Sequence, residues 1–234
     1  MTAPLRPYNS TLQPQLRTVF SMSHPTIRGS LVALITPFNE DGSVNFDKLG
    51  QLIDFHLANS TDALVILGTT GESSTMSHEE DNAVCEYTVK RVAGRIPVIA
   101  GSGSNSTQTM LEKSLSYERL GADGLLLITP YYNKTNEEGM YLHFKTVADA
   151  VKIPCILYNV PGRTGCSISV ANVARLSQHP NIVGIKEANG DISSVARTLS
   201  LVGDRLDLYS GNDDQIVPIL SLGGKGVISF GTEL

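Results

Sequence analysis

What most limits the fold of this chain is a rhythm. From Gly29 onward, short continuous apolar runs rich in β-branched residues alternate with longer amphipathic stretches. The runs are 31–36 (LVALIT), 63–67 (ALVIL), 97–100 (PVIA), 124–129 (GLLLIT), 154–158 (PCILY), 182–186 (IVGIK), 206–210 (LDLYS) and 226–230 (GVISF). Runs of this length and kind suit strands covered on both faces, as in a parallel sheet. The stretches near 46–59, 78–93, 106–120, 136–150, 169–178, 192–202 and 213–222 suit helices. Their ends carry local signals. Ser77-x-x-Glu80 and Thr135-x-x-Glu138 read as capping boxes, and Asp191 and Asp213 as N-caps. Gly94 and Gly121 fall where helices stop. Pro97 and Pro154 open strands, where a missing N–H does little harm.

Alternating βα units imply a parallel sheet with right-handed crossovers. Eight strands are the number that closes a TIM (β/α)8 barrel. A doubly wound open sheet is the alternative, but it would usually carry a glycine-rich phosphate loop after its first strand. Here that strand runs into Thr36-Pro37-Phe38. The last run ends four residues before Leu234, so the sequence predicts one barrel domain over 29–234, lacking the last helix and any C-terminal helical region.

Composition narrows the function classes. With 41% hydrophobic and 18% charged residues, the chain of 234 is ordinary globular material. A net charge of −5 without a basic block lacks the footprint of nucleic-acid binding. No apolar run approaches the roughly 20 residues of a membrane span. Cys85, Cys155 and Cys166 are widely spaced and read as reduced thiols of a cytoplasmic protein. Residues 1–28 hold three Arg and no acid, and are expected to be a poorly ordered extension. They read either as a transit-like segment or as a start really set at Met22.

In a barrel the chemistry sits at the C-terminal ends of the strands. There the sequence places Gly68-Thr69-Thr70-Gly71-Glu72, Thr129-Pro130-Tyr131-Tyr132-Asn133, Tyr158-Asn159-Val160-Pro161-Gly162-Arg163-Thr164, Lys186-Glu187 and Ser210-Gly211-Asn212-Asp213. A lysine at such a mouth is either a solvated strand end or a desolvated amine. In the second case its pKa drops below about 10.4 and the neutral form can attack a ketone. Tyr158, Tyr132 and Thr69 carry hydroxyls that could relay protons. Arg163 could grip a carboxylate in a bidentate fork, and the Thr69–Thr70 turn could hold another on backbone N–H groups. Gly101-Ser102-Gly103 is only part of a dinucleotide fingerprint, and the five histidines show no metal-ligand spacing.

Together, Gly68–Glu72, Thr129–Asn133, Tyr158–Gly165, Gly184-Ile185-Lys186-Glu187 and Gly226-Val227-Ile228-Ser229 closely resemble the dihydrodipicolinate synthase (4-hydroxy-tetrahydrodipicolinate synthase) family, from about Gly29 to the last residue. The resemblance implies a lyase of lysine and diaminopimelate biosynthesis that condenses pyruvate with L-aspartate 4-semialdehyde, with no metal or organic cofactor. It implies Lys186 as the Schiff-base residue and Tyr158 as proton donor and acceptor. Thr69 and Tyr132 complete a relay, Tyr132 reaching in from a neighbouring subunit of a homo-oligomer (a dimer or dimer of dimers). Thr70, Gly211 and the backbone at Ile228 line the pyruvate site, and Arg163 binds the semialdehyde carboxylate.

In lysine-inhibited members an effector site lies between subunits. Ser74, His78, Asn105 and Tyr131 match that pattern, while the usual glutamate and a second histidine appear here as Thr109 and Asp81. Weak or absent lysine feedback is therefore expected. The alternatives are a related pyruvate-dependent aldolase, such as an N-acetylneuraminate lyase or keto-deoxy sugar acid aldolase, and an inactive shortened chain. A phosphosugar barrel is disfavoured by the acidic loops Gly211–Asp214 and Gly231–Glu233.

Overall fold

A computed structural model describes residues 27–230. In chain order the strands are β1 (Gly29–Ala33), β2 (Ala63–Ile66), β3 (Val98–Gly101), β4 (Gly124–Ile128), β5 (Cys155–Asn159), β6 (Ile182–Glu187), β7 (Asp207–Ser210) and β8 (Gly226–Ser229). The helices are α1 (Phe46–Ala58), α2 (His78–Val92), α3 (Thr107–Arg119), α4 (Glu137–Ala150), α5 (Pro161–Thr164), α6 (Val170–Leu176), α7 (Ile192–Val202) and α8 (Ile216–Ser221). Each strand pairs in parallel with its sequence neighbours, and β1 pairs with β8, with Leu31 opposite Ile228. The result is a closed eight-stranded barrel, the TIM architecture expected from the rhythm.

Alternation along each strand divides the apolar residues between two cores. One lies between barrel and helices, where outward residues such as Leu64, Leu125, Leu157 and Ile185 meet Ile53, Val84, Phe144 and Val195. The other fills the barrel with Leu31, Val65, Leu126, Ile156, Tyr209 and Ile228. Tyr209 closes the lower end, its hydroxyl donating to the carbonyl of Ile27 at 2.7 Å. Ile27 is buried, and Arg28 pairs with Asp207 at 3.0 Å, so both belong to the ordered body. Residues 1–26 and 231–234 lie outside the described residues, and with them the two readings of the N-terminal segment and the whole of loop Gly231–Glu233.

Local expectations fared unequally. Ser77 and Glu80 form the reciprocal capping box, and Asp191 caps α7. At α4, however, Asn136 is the N-cap, not Thr135: its side chain accepts from Gly139 N, and asparagine is the better cap of the adjacent pair. Asp213 caps nothing, because its carboxylate is taken by the Ser229 hydroxyl. β1 begins at Gly29 and ends at Ala33 rather than spanning 31–36; Thr36 leaves the ladder and donates to the Gly71 carbonyl at 2.7 Å. Pro97 and Pro154 precede their strands and lend carbonyls to Leu64 N and Leu125 N. The short α5, begun by Pro161, stands where the sequence suggested only a turn. Among the described residues no helix follows β8, and none is long and apolar enough to cross a membrane.

Candidate active site

The C-terminal mouth of the barrel opens into a pocket of about 240 Å³, where Lys186, Tyr158, Thr69, Thr70, Arg163 and Gly211 meet. Lys186 and Tyr158 are partners on one rung of β6 and β5, and both point into the barrel. The ammonium nitrogen Nζ stands 4.4 Å from the centre of the Tyr158 ring.

Two glycines make room for this arrangement. A Cβ on Gly211 would lie 3.0 Å from Lys186 Cε and 2.9 Å from the Ala188 methyl, so a larger residue would displace the lysine stem. A Cβ on Gly184, one inward position below Lys186, would lie 2.7 Å from the Tyr209 ring. Gly184 thus lets the tyrosine floor the barrel beneath the amine.

The surroundings set the charge of Lys186. It is 7% exposed, and no carboxylate forms an ion pair with it among the described residues. Burial foremost, with the Arg163 guanidinium adding and Asp213 opposing, brings its pKa down to about 8. At pH 7 about a tenth of such amines are neutral, against well under a thousandth for an ordinary lysine. Burial raises the Tyr158 phenol, with Arg163 opposing, so the phenol keeps its proton. A neutral amine beside a protonated phenol can add to a carbonyl and find a proton for the departing water.

Strain gathers at this rim. Leu67, Glu72, Tyr132 and Lys134 hold positive φ, at 58°, 54°, 72° and 45°. Bulky side chains in that region cost free energy unless surrounding structure holds them there. Tyr132 is also 88% exposed and does not line the pocket of its own chain. Ile228 is fully buried in the barrel core, while its neighbours Ser229 and Phe230 form the wall.

A second groove of about 480 Å³ adjoins the pocket, sharing Gly68, Thr69, Leu126, Tyr158 and Arg163 with it. Ser74, His78, Thr109 and Tyr131 line it; Asn105 does not, and uses its carbonyl to accept from Asn133 Nδ2 at 3.0 Å. Asp81 lies beneath, buried and paired with Lys113 at 2.8 Å, and Ser73 joins both.

Sequence reading missed Lys113, which replaces no motif residue and shows only as a cation one helical turn after Thr109. Glu187, read from the sequence beside Lys186 at the barrel mouth, had no role assigned there. This carboxylate points outward, directly behind Lys186, and is 3% exposed. Asn159 Nδ2 donates to both its oxygens at 2.9 and 3.1 Å, and Asn189 N to one at 3.1 Å. Burial pushes the carboxyl up to about 7 against those hydrogen bonds. Period-2 alternation could have flagged it: a charge after an inward lysine must face the helix layer, where it needs a partner.

A buried amine with no ion-pair partner among the described residues, its pKa lowered toward neutrality, suits imine chemistry on a keto acid. The barrel and its mouth thus define a lysine-dependent Schiff-base lyase. Comparison with known proteins narrows this class. The sequence profile of the dihydrodipicolinate synthetase family matches residues 26–234. The 4-hydroxy-tetrahydrodipicolinate synthase 1 of Clostridium acetobutylicum is 57% identical over 202 residues, covering 86% of this chain and 69% of that protein. A solved dihydrodipicolinate synthase from Aquifex aeolicus superposes with a TM-score of 0.86 at 46% identity, covering 88% of this chain and 70% of that one. A chloride-inhibited dihydrodipicolinate synthase from Acinetobacter baumannii, solved in complex with pyruvate, gives 0.87 at 44% identity, over 89% and 72%. This chain belongs to the dihydrodipicolinate synthetase family.

Proposed function

We propose that this chain is a 4-hydroxy-tetrahydrodipicolinate synthase, condensing pyruvate with L-aspartate 4-semialdehyde through an imine on Lys186. The observation that carries the reading is the buried lysine itself, poised over Tyr158 with no ion-pair partner among the described residues. The neutral amine adds to the keto carbon of pyruvate, and Tyr158 passes a proton to the leaving hydroxyl as water departs. Loss of a methyl proton then gives an enamine, because the iminium accepts the electron pair. The enamine carbon attacks the aldehyde, whose oxygen gains a proton. The amino group of the bound product adds to the imine carbon, closes the ring and releases Lys186.

Thr70 and Gly211, both in the pocket wall, flank the pyruvate carboxylate, with the backbone at Ile228 on the third side. Arg163, at the junction of pocket and groove, takes the semialdehyde carboxylate. Thr69 hands protons on from Tyr158. Tyr132 serves the pocket of a neighbouring subunit in a homo-oligomer; its strained backbone and exposed ring, outside its own pocket, support that role. The work is cytoplasmic, as befits a biosynthetic step, and needs no cofactor. The groove is the counterpart of the lysine effector site, and here Lys113 brings a resident ammonium to its wall.

Incubation with pyruvate and borohydride, followed by peptide mass spectrometry, tests the reading. A reduced pyruvyl group on Lys186 is expected; an unmodified Lys186 in a folded sample overturns it. Turnover with a panel of aldehydes then separates the semialdehyde from sugar-derived acceptors.

A further inference from the structure

β5 and β6 place two pairs on consecutive rungs: Tyr158 opposite Lys186, then Asn159 opposite Glu187. Alternation turns the first pair into the barrel and the second pair outward. The outward pair has a fixed polarity. Asn159 Oδ1 accepts from the backbone N–H of Ile168 at 3.0 Å and from the Ser167 hydroxyl at 3.2 Å. A backbone N–H can only donate, so the amide oxygen must face it and the amide NH2 must face Glu187. Both carboxylate oxygens of Glu187 receive that NH2, and Asn189 N adds a further bond. The backbone agrees with the side chains, since Ala188 N donates to Asn159 O at 2.9 Å.

The segment from Asn159 to Ile168 carries α5 and Arg163, and it returns onto the side chain of its own first residue. From these contacts we infer that the Asn159–Glu187 couple is a latch that holds the Arg163 loop in register with the Lys186–Tyr158 rung, making both positioning residues for the second substrate. The inference rests on the functional reading above. Neither side chain lines the pocket, so the couple acts through Arg163 and touches no substrate.

Polarity makes the latch testable. Glu187→Gln keeps an acceptor at Oε1 for Asn189 N but replaces Oε2 with an amide NH2 about 3.1 Å from the NH2 of Asn159. Asn159→Asp sets two buried carboxylates together. The double variant Asn159→Asp/Glu187→Gln restores a donor–acceptor pair with its direction reversed, and still offers an oxygen to Ile168 N. The expected result is a KM for L-aspartate 4-semialdehyde raised about tenfold in each single variant, with the rate of borohydride-trapped pyruvate adduct falling by less than about threefold, and recovery to within about threefold of wild type in the double variant. A merely structural role would slow adduct formation and semialdehyde turnover alike, and that outcome overturns the inference. So does an unchanged semialdehyde KM.

Amide hydrogen exchange gives a readout independent of activity. The Ile168 N–H should exchange faster in Glu187→Gln and regain protection in the double variant; unaltered exchange refutes the latch even if the functional reading stands. Should the single variants not fold, Ser167→Ala removes only the solvent-side bond of the latch, and an unmoved Ile168 exchange rate there is equally fatal. Absence of any pyruvate adduct on the wild-type chain would count against the functional reading alone.

Discussion

Two lysines sit largely buried in this barrel, and they do opposite things. Lys113 reaches from α3 to Asp81 on α2 and donates to Ser73, so its charge is matched by a carboxylate 2.8 Å away. Lys186 is buried more deeply and has no ion-pair partner among the described residues; its Nζ stands 4.4 Å from the centre of the Tyr158 ring, and the Arg163 guanidinium disfavours its charge while Asp213 favours it. Burial disfavours a charge in both places. The paired lysine ties two helices together through its ion pair with Asp81. The solitary one shifts toward the neutral amine, and so becomes a nucleophile. Burial alone does not make a lysine reactive; burial without a counter-ion does.

The comparison breaks if the two can be exchanged in effect. Lys186→Arg keeps a cation and loses the neutral amine, so turnover should fall by at least about three orders of magnitude, with no trapped adduct. Lys113→Met should still form the adduct, but it strands Asp81 and should cost about 3–5 kcal/mol of stability, read as a lowered denaturant midpoint. A Lys113→Met chain that loses its adduct while fully folded would place both lysines in one catalytic unit. Tyr158→Phe tests the neighbour of the reactive lysine: removing a proton donor of this kind should lower kcat by about two to three orders of magnitude, with the adduct forming slowly rather than not at all.

The next effect is smaller and sharper. With the folded-state pKa of Lys186 lowered to about 8, the neutral fraction rises with pH and levels off above that value. Adduct formation should therefore climb about tenfold from pH 7 toward a plateau a little above pH 8. An adduct rate still climbing steeply through pH 10 would mean an unperturbed lysine. The smallest effect is expected at the other lysine. Lys113 already places an ammonium beside the groove, and Thr109 offers no carboxylate to a second one. Millimolar L-lysine should change the initial rate by less than about twofold. Strong inhibition at sub-millimolar L-lysine would show that the effector's amine finds another partner.

Much of this was legible in the chain itself. Short apolar runs between amphipathic stretches imposed a parallel α/β fold, because strands covered on both faces must be apolar on both. Their number matched barrel closure, and the polar residues following each run marked the rim where Lys186, Tyr158, Thr69, Thr70 and Arg163 do meet. Less legible were features set by contacts distant in sequence. Thr36 leaves its strand for the Gly71 carbonyl, and Asp213 gives up a helix cap for Ser229. In each case a partner far along the chain outcompeted the local signal.

The sequence by itself determined the strand count, the order of the units and the residues at the barrel mouth, because periodicity and spacing are local properties. Only the tertiary structure decided which of two lysines is reactive. That depends on where carboxylates and cations 23 to 32 residues away come to lie, and on glycines such as Gly211 leaving room for the side chain. It likewise decided that Glu187 meets Asn159 rather than solvent, since a strand's outward residue acquires its partner only when the neighbouring strand settles into register.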